Sequence, residues 1–202
     1  MMEIISHRRN TITELISTDS KYGVEVDVRT DHGQLIIHHD PCKPGESFEE
    51  WIGLYRHGTL ILNVKEEGLE PYLISLMKSN GISNYFFLDQ SFPFMIKWSN
   101  AGERRCAVRV SEFESIETAL SLAGKVDWVW VDCFTHFSLE EEEAGRLKDA
   151  GFKLCLVSPE LQGRDAAVEI PELASLLTER HIVADAVCTK RPDLWEATIN
   201  FK

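Results

Sequence analysis

The sequence predicts a (β/α)8 barrel of the TIM type, and three observations carry that expectation. Short apolar, strand-like runs alternate with helical segments along the chain. Eight strands remain once one hairpin is set aside, and eight is the number at which an alternating parallel sheet closes on itself. The glycine-rich phosphate loop that usually follows the first strand of an open doubly wound sheet is missing, since the chain reads His7-Arg8-Arg9 there.

The eight strands fall at about residues 3–6, 23–28, 59–65, 85–89, 105–110, 127–132, 152–157 and 185–189. Each is a run of aliphatic and aromatic residues, such as Tyr85-Phe86-Phe87-Leu88 or Trp128-Val129-Trp130-Val131. Leu35-Ile36-Ile37-His38-His39 reads as a hairpin extension of the second strand. Helices fit between the strands, with Thr11-x-x-Glu14, Ser111-x-x-Glu114 and Ser138-x-x-Glu141 as expected capping boxes and a short helix around Trp51. Apolar residues recur at helical spacing near 69–80, 92–100, 114–123, 139–150 and 170–182. Gly81, Gly102, Gly124 and Gly151 stand where helices should stop.

A chain of 202 residues without a linker-like stretch is expected to form a single domain, 1–202. Its net charge of −12 argues against nucleic acid or an anionic membrane as a main partner. It also means that a phosphate substrate needs local cations to overcome the general field. No apolar run reaches the roughly 20 residues that span a bilayer, so no stable membrane association is expected. The first strand begins by about residue 3, which leaves no room for a secretory signal and makes the cytoplasm the expected compartment. Five cysteines, odd in number and without a C-x-x-C, fit small buried hydrophobes better than a disulfide scaffold.

Chemistry concentrates in the first forty residues. His7-Arg8 ends the first strand, Glu25 and Asp27 share one face of the second, and His39-Asp40 ends the hairpin. Two acids side by side resist burial unless a cation sits between them. A solvated edge strand explains the acids alone equally well, but histidines on either side favour the cation. Active sites of such barrels lie at the C-terminal strand ends, where His7, Asp27, His39, Asn63, Lys65, Asp132 and Ser158 all fall. Asp132 is the one further acid placed where it could touch that site. His38 should point away from it by alternation, and His32, His57, His136 and His181 read as structural or exposed residues. Of Trp128-Val129-Trp130-Val131, one alternate pair should face the interior and the other the helices.

Taken in order, these motifs resemble the glycerophosphodiester phosphodiesterase family, a TIM barrel of the PLC-like phosphodiesterase type. That family opens with His-Arg-Gly and Glu-Asn-Thr, which His7-Arg8 and Asn10-Thr11 resemble with a shortened loop. Its Glu-x-Asp and His-Asp-Pro correspond to Glu25-Val26-Asp27 and His39-Asp40-Pro41. Its later Glu-x-Lys corresponds to Asn63-Val64-Lys65, its Ser-Phe to Ser91-Phe92, and its Thr-Asp-x-Pro to Thr189-Lys190-Arg191-Pro192. The resemblance implies that Glu25 and Asp27, with Asn63 as third ligand, bind one divalent cation, Mg²⁺ or Ca²⁺. It implies that His7 and His39 act as base and acid, and that Arg8 and Lys65 bind the phosphate. The expected reaction is hydrolysis of a small glycerophosphodiester-like substrate to a phosphomonoester and an alcohol.

Three departures qualify what the resemblance implies. Asn63 replaces the family's third carboxylate, so the cation site loses a negative charge. Only about 20 residues follow His-Asp-Pro before the next strand, where the family inserts a small subdomain, so the mouth should be more open. Arg9 and Lys190 add cations near the rim. Two other readings stay open: metal-independent cleavage through a cyclic phosphate, as in the phosphatidylinositol-cleaving phospholipases, or a catalytically weakened barrel that only binds a phosphorylated ligand. The oligomeric state is left open by the sequence.

Overall fold

A computed structural model describes residues 2–200. In chain order the elements are β1 (Glu3–Ser6), α1 (Ile12–Ser17), β2 (Gly23–Asp31), β3 (Gln34–Ile37), β4 (Glu46–Ser47), α2 (Phe48–Gly53) and β5 (Leu60–Val64). There follow α3 (Glu70–Ser79), β6 (Tyr85–Leu88), α4 (Phe92–Asn100), β7 (Ala107–Val110), α5 (Ile116–Leu120), β8 (Trp128–Val131) and α6 (Glu141–Asp149). The chain ends with β9 (Lys153–Val157), a 3-10 turn (Pro159–Gln162), α7 (Ala166–Glu179), β10 (Ala186–Thr189) and α8 (Pro192–Asn200).

Eight of the strands are parallel and form one curled sheet. Ladders run without interruption from β6 through β5, β2, β1, β10, β9 and β8 to β7. Where the two edges of the sheet meet, β6 and β7 share a single parallel bridge, Phe87 with Cys106, and the Phe87 N–H donates to the Arg105 carbonyl at 2.8 Å. The expected closed ring is thus laddered at seven joints, and the eighth is one bridge. The antiparallel strands β3 and β4 extend from β2 as the expected hairpin, although β3 ends at Ile37, before the two histidines.

Alternation along each strand sorts the apolar residues into two cores. Val24, Val26, Val28, Val129 and Val131 face the helices and join the larger cluster. Ile5, Ile61, Phe86, Trp128, Trp130 and Cys188 fill the inside of the curled sheet. Both tryptophans of β8 are therefore the inward pair, and Trp128 stacks on Phe86 with ring centroids 4.5 Å apart. At the lower end of β2 the interior has no room for a side chain: a Cβ on Gly23 would stand 2.5 Å from the Thr59 carbonyl oxygen.

Gly81, Gly102, Gly124 and Gly151 all take positive φ after a helix, as the stop signals require. Thr11 caps α1 by accepting from the Glu14 N–H. The other two expected capping boxes fail. Ser111 and Glu114 hydrogen-bond each other's backbone in a turn, and Ser115 caps α5 instead. Glu140 rather than Ser138 precedes α6, its N–H donating to the Glu143 carboxylate at 3.1 Å. Among the described residues no helix is long and apolar enough to cross a membrane. The five cysteines are free thiols, Cys42 exposed and the others buried.

Candidate active site

Strand register assembles the site. In the β2–β5 ladder Asp27 stands beside Asn63, so both side chains point inward at the same height. β1 delivers His7 one residue past its end, where the His7 N–H donates to the Thr189 carbonyl of β10 at 2.8 Å. Arg8 then adopts φ of 52°, a left-handed conformation that turns its backbone N–H onto Glu25 Oε2 at 2.7 Å. The opening motif is therefore bound to the acidic strand through the main chain.

Glu25 and Asp27 are both fully buried. Asn63 Nδ2 donates to Glu25 Oε1 at 2.9 Å, and Asn10 Nδ2 donates to Asp27 Oδ2 at 2.7 Å. Lys65 Nζ lies 3.2 Å from Asp27 Oδ1, and Arg8 Nε lies 3.6 Å from Asp27 Oδ2. Burial, reinforced by the neighbouring Asp27 charge, pushes the Glu25 carboxyl up to about 7. Burial, reinforced by the Arg8 charge, lowers the His7 imidazole to about 3. His7 Nε2 approaches Glu25 Oε2 to 3.7 Å, but the imidazole in that contact is neutral near pH 7.

One cavity of about 240 Å³ is lined by His7, Arg8, Glu25, His39, Asn63 and Lys65 together. Asp27 lies behind this wall, fully buried, and reaches the cavity through Lys65. His39 enters from the hairpin, and its Nδ1 contacts Asp40 Oδ1 at 2.8 Å. His38 turns away and engages the backbone of Asp40. Asp132 does line the cavity, nearly buried, held by Gln162 Nε2 at 2.6 Å and Arg109 Nη1 at 3.1 Å.

The residues that sequence reasoning missed are Asp89 and Arg109. Lys65 Nζ is 3.2 Å from Asp89 Oδ2, Asp89 pairs in turn with Arg109, and Arg109 with Asp132. A chain of alternating charge thus crosses the rim from β2 to β8. Arg109 could have been found, because it sits inward between Val108 and Val110, which face the helices.

The donor set fits a hard divalent cation. Glu25 and Asp27 offer carboxylate oxygens, and the buried Asn63 Oδ1 has no hydrogen-bond partner. Among the described residues no group of three or more His, Cys, Asp or Glu side chains is placed to hold a metal. A cation here would rest on two carboxylates and an amide.

No protein-family model matches the sequence, and no curated protein matches it. Solved structures do. A glycerophosphodiester phosphodiesterase from Agrobacterium tumefaciens str. C58 superposes with a TM-score of 0.69 at 16% identity, covering 98% of this chain and 100% of that one. The chain shares that enzyme's fold. A putative glycerophosphoryl diester phosphodiesterase from the same organism gives 0.70 at 16% identity, covering 100% and 98%. A tryptophan synthase α-subunit from Pyrococcus furiosus gives 0.60 at 12% identity, covering 98% and 95%. One fold carries several chemistries, so the function has to be argued from the side chains.

Proposed function

We propose that the protein is a glycerophosphodiester phosphodiesterase-like enzyme that hydrolyses a small phosphodiester to a phosphomonoester and an alcohol. The observation that carries this reading is the meeting of two imidazoles, two cationic side chains and Glu25 around one cavity, with Asp27 buried directly behind its wall. Arg8 and Lys65 draw the phosphate into a chain of net charge −12 and neutralise its non-bridging oxygens. Water attacks phosphorus and its proton passes to His7, which burial and Arg8 keep neutral before the step. The phosphorus–oxygen bond to the leaving alcohol breaks, and His39 Nε2, freed for this by the Nδ1 contact with Asp40, returns a proton to the alkoxide. Glu25, Asp27 and Asn63 would hold Mg²⁺ or Ca²⁺, whose positive charge stabilises the crowded oxygens when bound. The curled sheet is read as a (β/α)8 barrel with this site at its C-terminal rim, acting in the cytoplasm.

The test is a panel of glycerol-, sugar- and nucleotide-linked phosphodiesters with each cation and with chelator. Hydrolysis that needs the cation and is lost in His7→Ala supports the proposal. No turnover of any member with either cation refutes it. One observation favours a second reading: Lys65 Nζ and Arg8 Nε already flank Asp27, so the chain carries its own positive charge at the site. That reading is metal-independent cleavage by internal attack, and it is marked by a cyclic phosphate product formed in the presence of chelator.

A further inference from the structure

The phosphate cavity is bounded on one side by the Asp89–Arg109 pair. Beyond it lies a groove of about 550 Å³, between the β6–α4 and β7–α5 units, along the line where the sheet has only one bridge. Leu88, Asp89 and Arg109 line both spaces, so the two adjoin across the Asp89–Arg109 pair. Met95 and Val108 contribute apolar wall, and Phe92 and Phe113 stand over it. This volume lies within the range of small-molecule sites.

Three phenylalanines around this groove are exposed where a soluble protein would ordinarily cover them: Phe92 at 48%, Phe113 at 77% and Phe134 at 37%. Phe134 lines the phosphate cavity, and its ring centroid is 6.0 Å from that of Phe113 in the groove. The pair is held in place. Between them in the fold, the Glu112 carboxylate accepts from the backbone N–H of Phe134 at 3.2 Å, of Thr135 at 2.5 Å and of His136 at 3.3 Å. That clamp ties the loop carrying Phe113 to the loop carrying Phe134. The exposed rings are therefore fixed in the open, which costs solvation and is useful only if something apolar covers them.

Resting on the phosphodiesterase reading, we infer that the groove takes a hydrocarbon chain carried by one alcohol of the substrate, so that the preferred phosphodiester is acylated or alkylated rather than a bare glycerol ester. The adjacency of the two spaces, with Phe134 of one beside Phe113 of the other, is the ground for naming this occupant. A chain attached to a phosphate between Arg8 and Lys65 passes Phe134 and the Asp89–Arg109 pair and lies along Phe113, Val108 and Met95.

The experiment compares glycerophosphocholine with its octanoyl ester, the same phosphodiester with and without a chain, by calorimetric titration of the full protein in chelator. The octanoyl ester is expected to bind at least tenfold more tightly, and inorganic phosphate to compete with it. In Phe92→Ser/Phe113→Ser the ratio of the two affinities is expected to fall to about one, while Phe113→Leu retains it. Equal affinities in the wild-type protein, a preference that survives the double substitution, or binding indifferent to phosphate would each overturn the inference. The two proposals fail separately. An affinity difference without hydrolysis under any cation leaves the groove standing and removes the enzyme, whereas hydrolysis of glycerophosphocholine without an affinity difference does the reverse.

Discussion

Replacing Asn63 by Glu pulls metal-free stability and metal affinity in opposite directions. Without metal, the variant loses the 2.9 Å donor to Glu25 and crowds a third acid onto a pair whose Glu25 already titrates near 7. A lost buried hydrogen bond to a charged group costs ~1.5–3 kcal/mol. For a chain of this length that lowers Tm by roughly 3–12 °C. With a divalent cation the sign reverses. At ~4 Å and an effective dielectric of ~20, each pair of unit charges interacts by about 4 kcal/mol, and the cost of desolvating the new carboxylate offsets part of it. A net gain of about 1.4–2.8 kcal/mol corresponds to tenfold to hundredfold tighter binding. Differential scanning fluorimetry with and without Ca²⁺, paired with calorimetric titration, reads both quantities. A folded variant that binds the cation no better, or that melts higher in chelator, would refute the placement of Asn63 among the ligands. Asn63→Ala, which removes donor and ligand alike, is expected to lower both.

His7→Ala and His39→Ala are each expected to cut kcat by about 10²–10⁴-fold while the far-ultraviolet dichroism stays native, and a variant retaining wild-type turnover removes that residue from the mechanism. Metal binding must displace the Glu25 proton, so Kd is expected to tighten about tenfold per pH unit up to about 7 and then level, as titrations across pH 5–8 would show. In metal-free protein Glu25 contributes stability that is lost as pH rises from 4.5 through about 7, and His7 contributes stability that is lost as pH falls from 6.5 towards about 3. The two slopes oppose each other between pH 4.5 and 6.5. Glu25→Gln should unmask the His7 slope, with Tm in chelator rising across that interval relative to wild type; parallel melting curves for the two proteins would contradict it. Arg109→Ala leaves Asp132 with Gln162 Nε2 and the Cys133 N–H as its donors, so chemical denaturation should report a loss of about 2–3 kcal/mol, and no loss would show that the rim network is unimportant to the fold.

The strands and the first half of the site were legible because their signals are local. Alternation alone puts Glu25 and Asp27 on the face opposite Val24, Val26 and Val28, and that face is the inner one. Capping boxes are equally local, yet of the three expected caps only Thr11 caps its helix. The Ser111–Glu114 spacing serves a backbone turn as readily as a helix start, and only the path of the chain afterwards decides between them. Asp89 and Arg109 went unseen for a different reason. Asp89 is a single polar residue just past β6, and although alternation shows Arg109 to be inward, the partners of both appear only when β5, β6, β7 and β8 stand side by side. The one-bridge seam is likewise a matter of register between strands, which no periodicity within a strand encodes.

That seam makes the hoop of strands mechanically uneven. Seven joints share load through several amide contacts each, whereas the eighth depends on Phe87 and its neighbours Arg105 and Cys106. The Phe87 amide should exchange with deuterium sooner than the amides of β1 or β9, because freeing it needs no ladder to unzip. Spreading at that clasp would part Leu88 from Val108 and widen the slot between them while the ladders of β1 with β2 and β10 stay closed. Any give in the ring is thus expected at the slot, with β1 and β2 on the stiffer side.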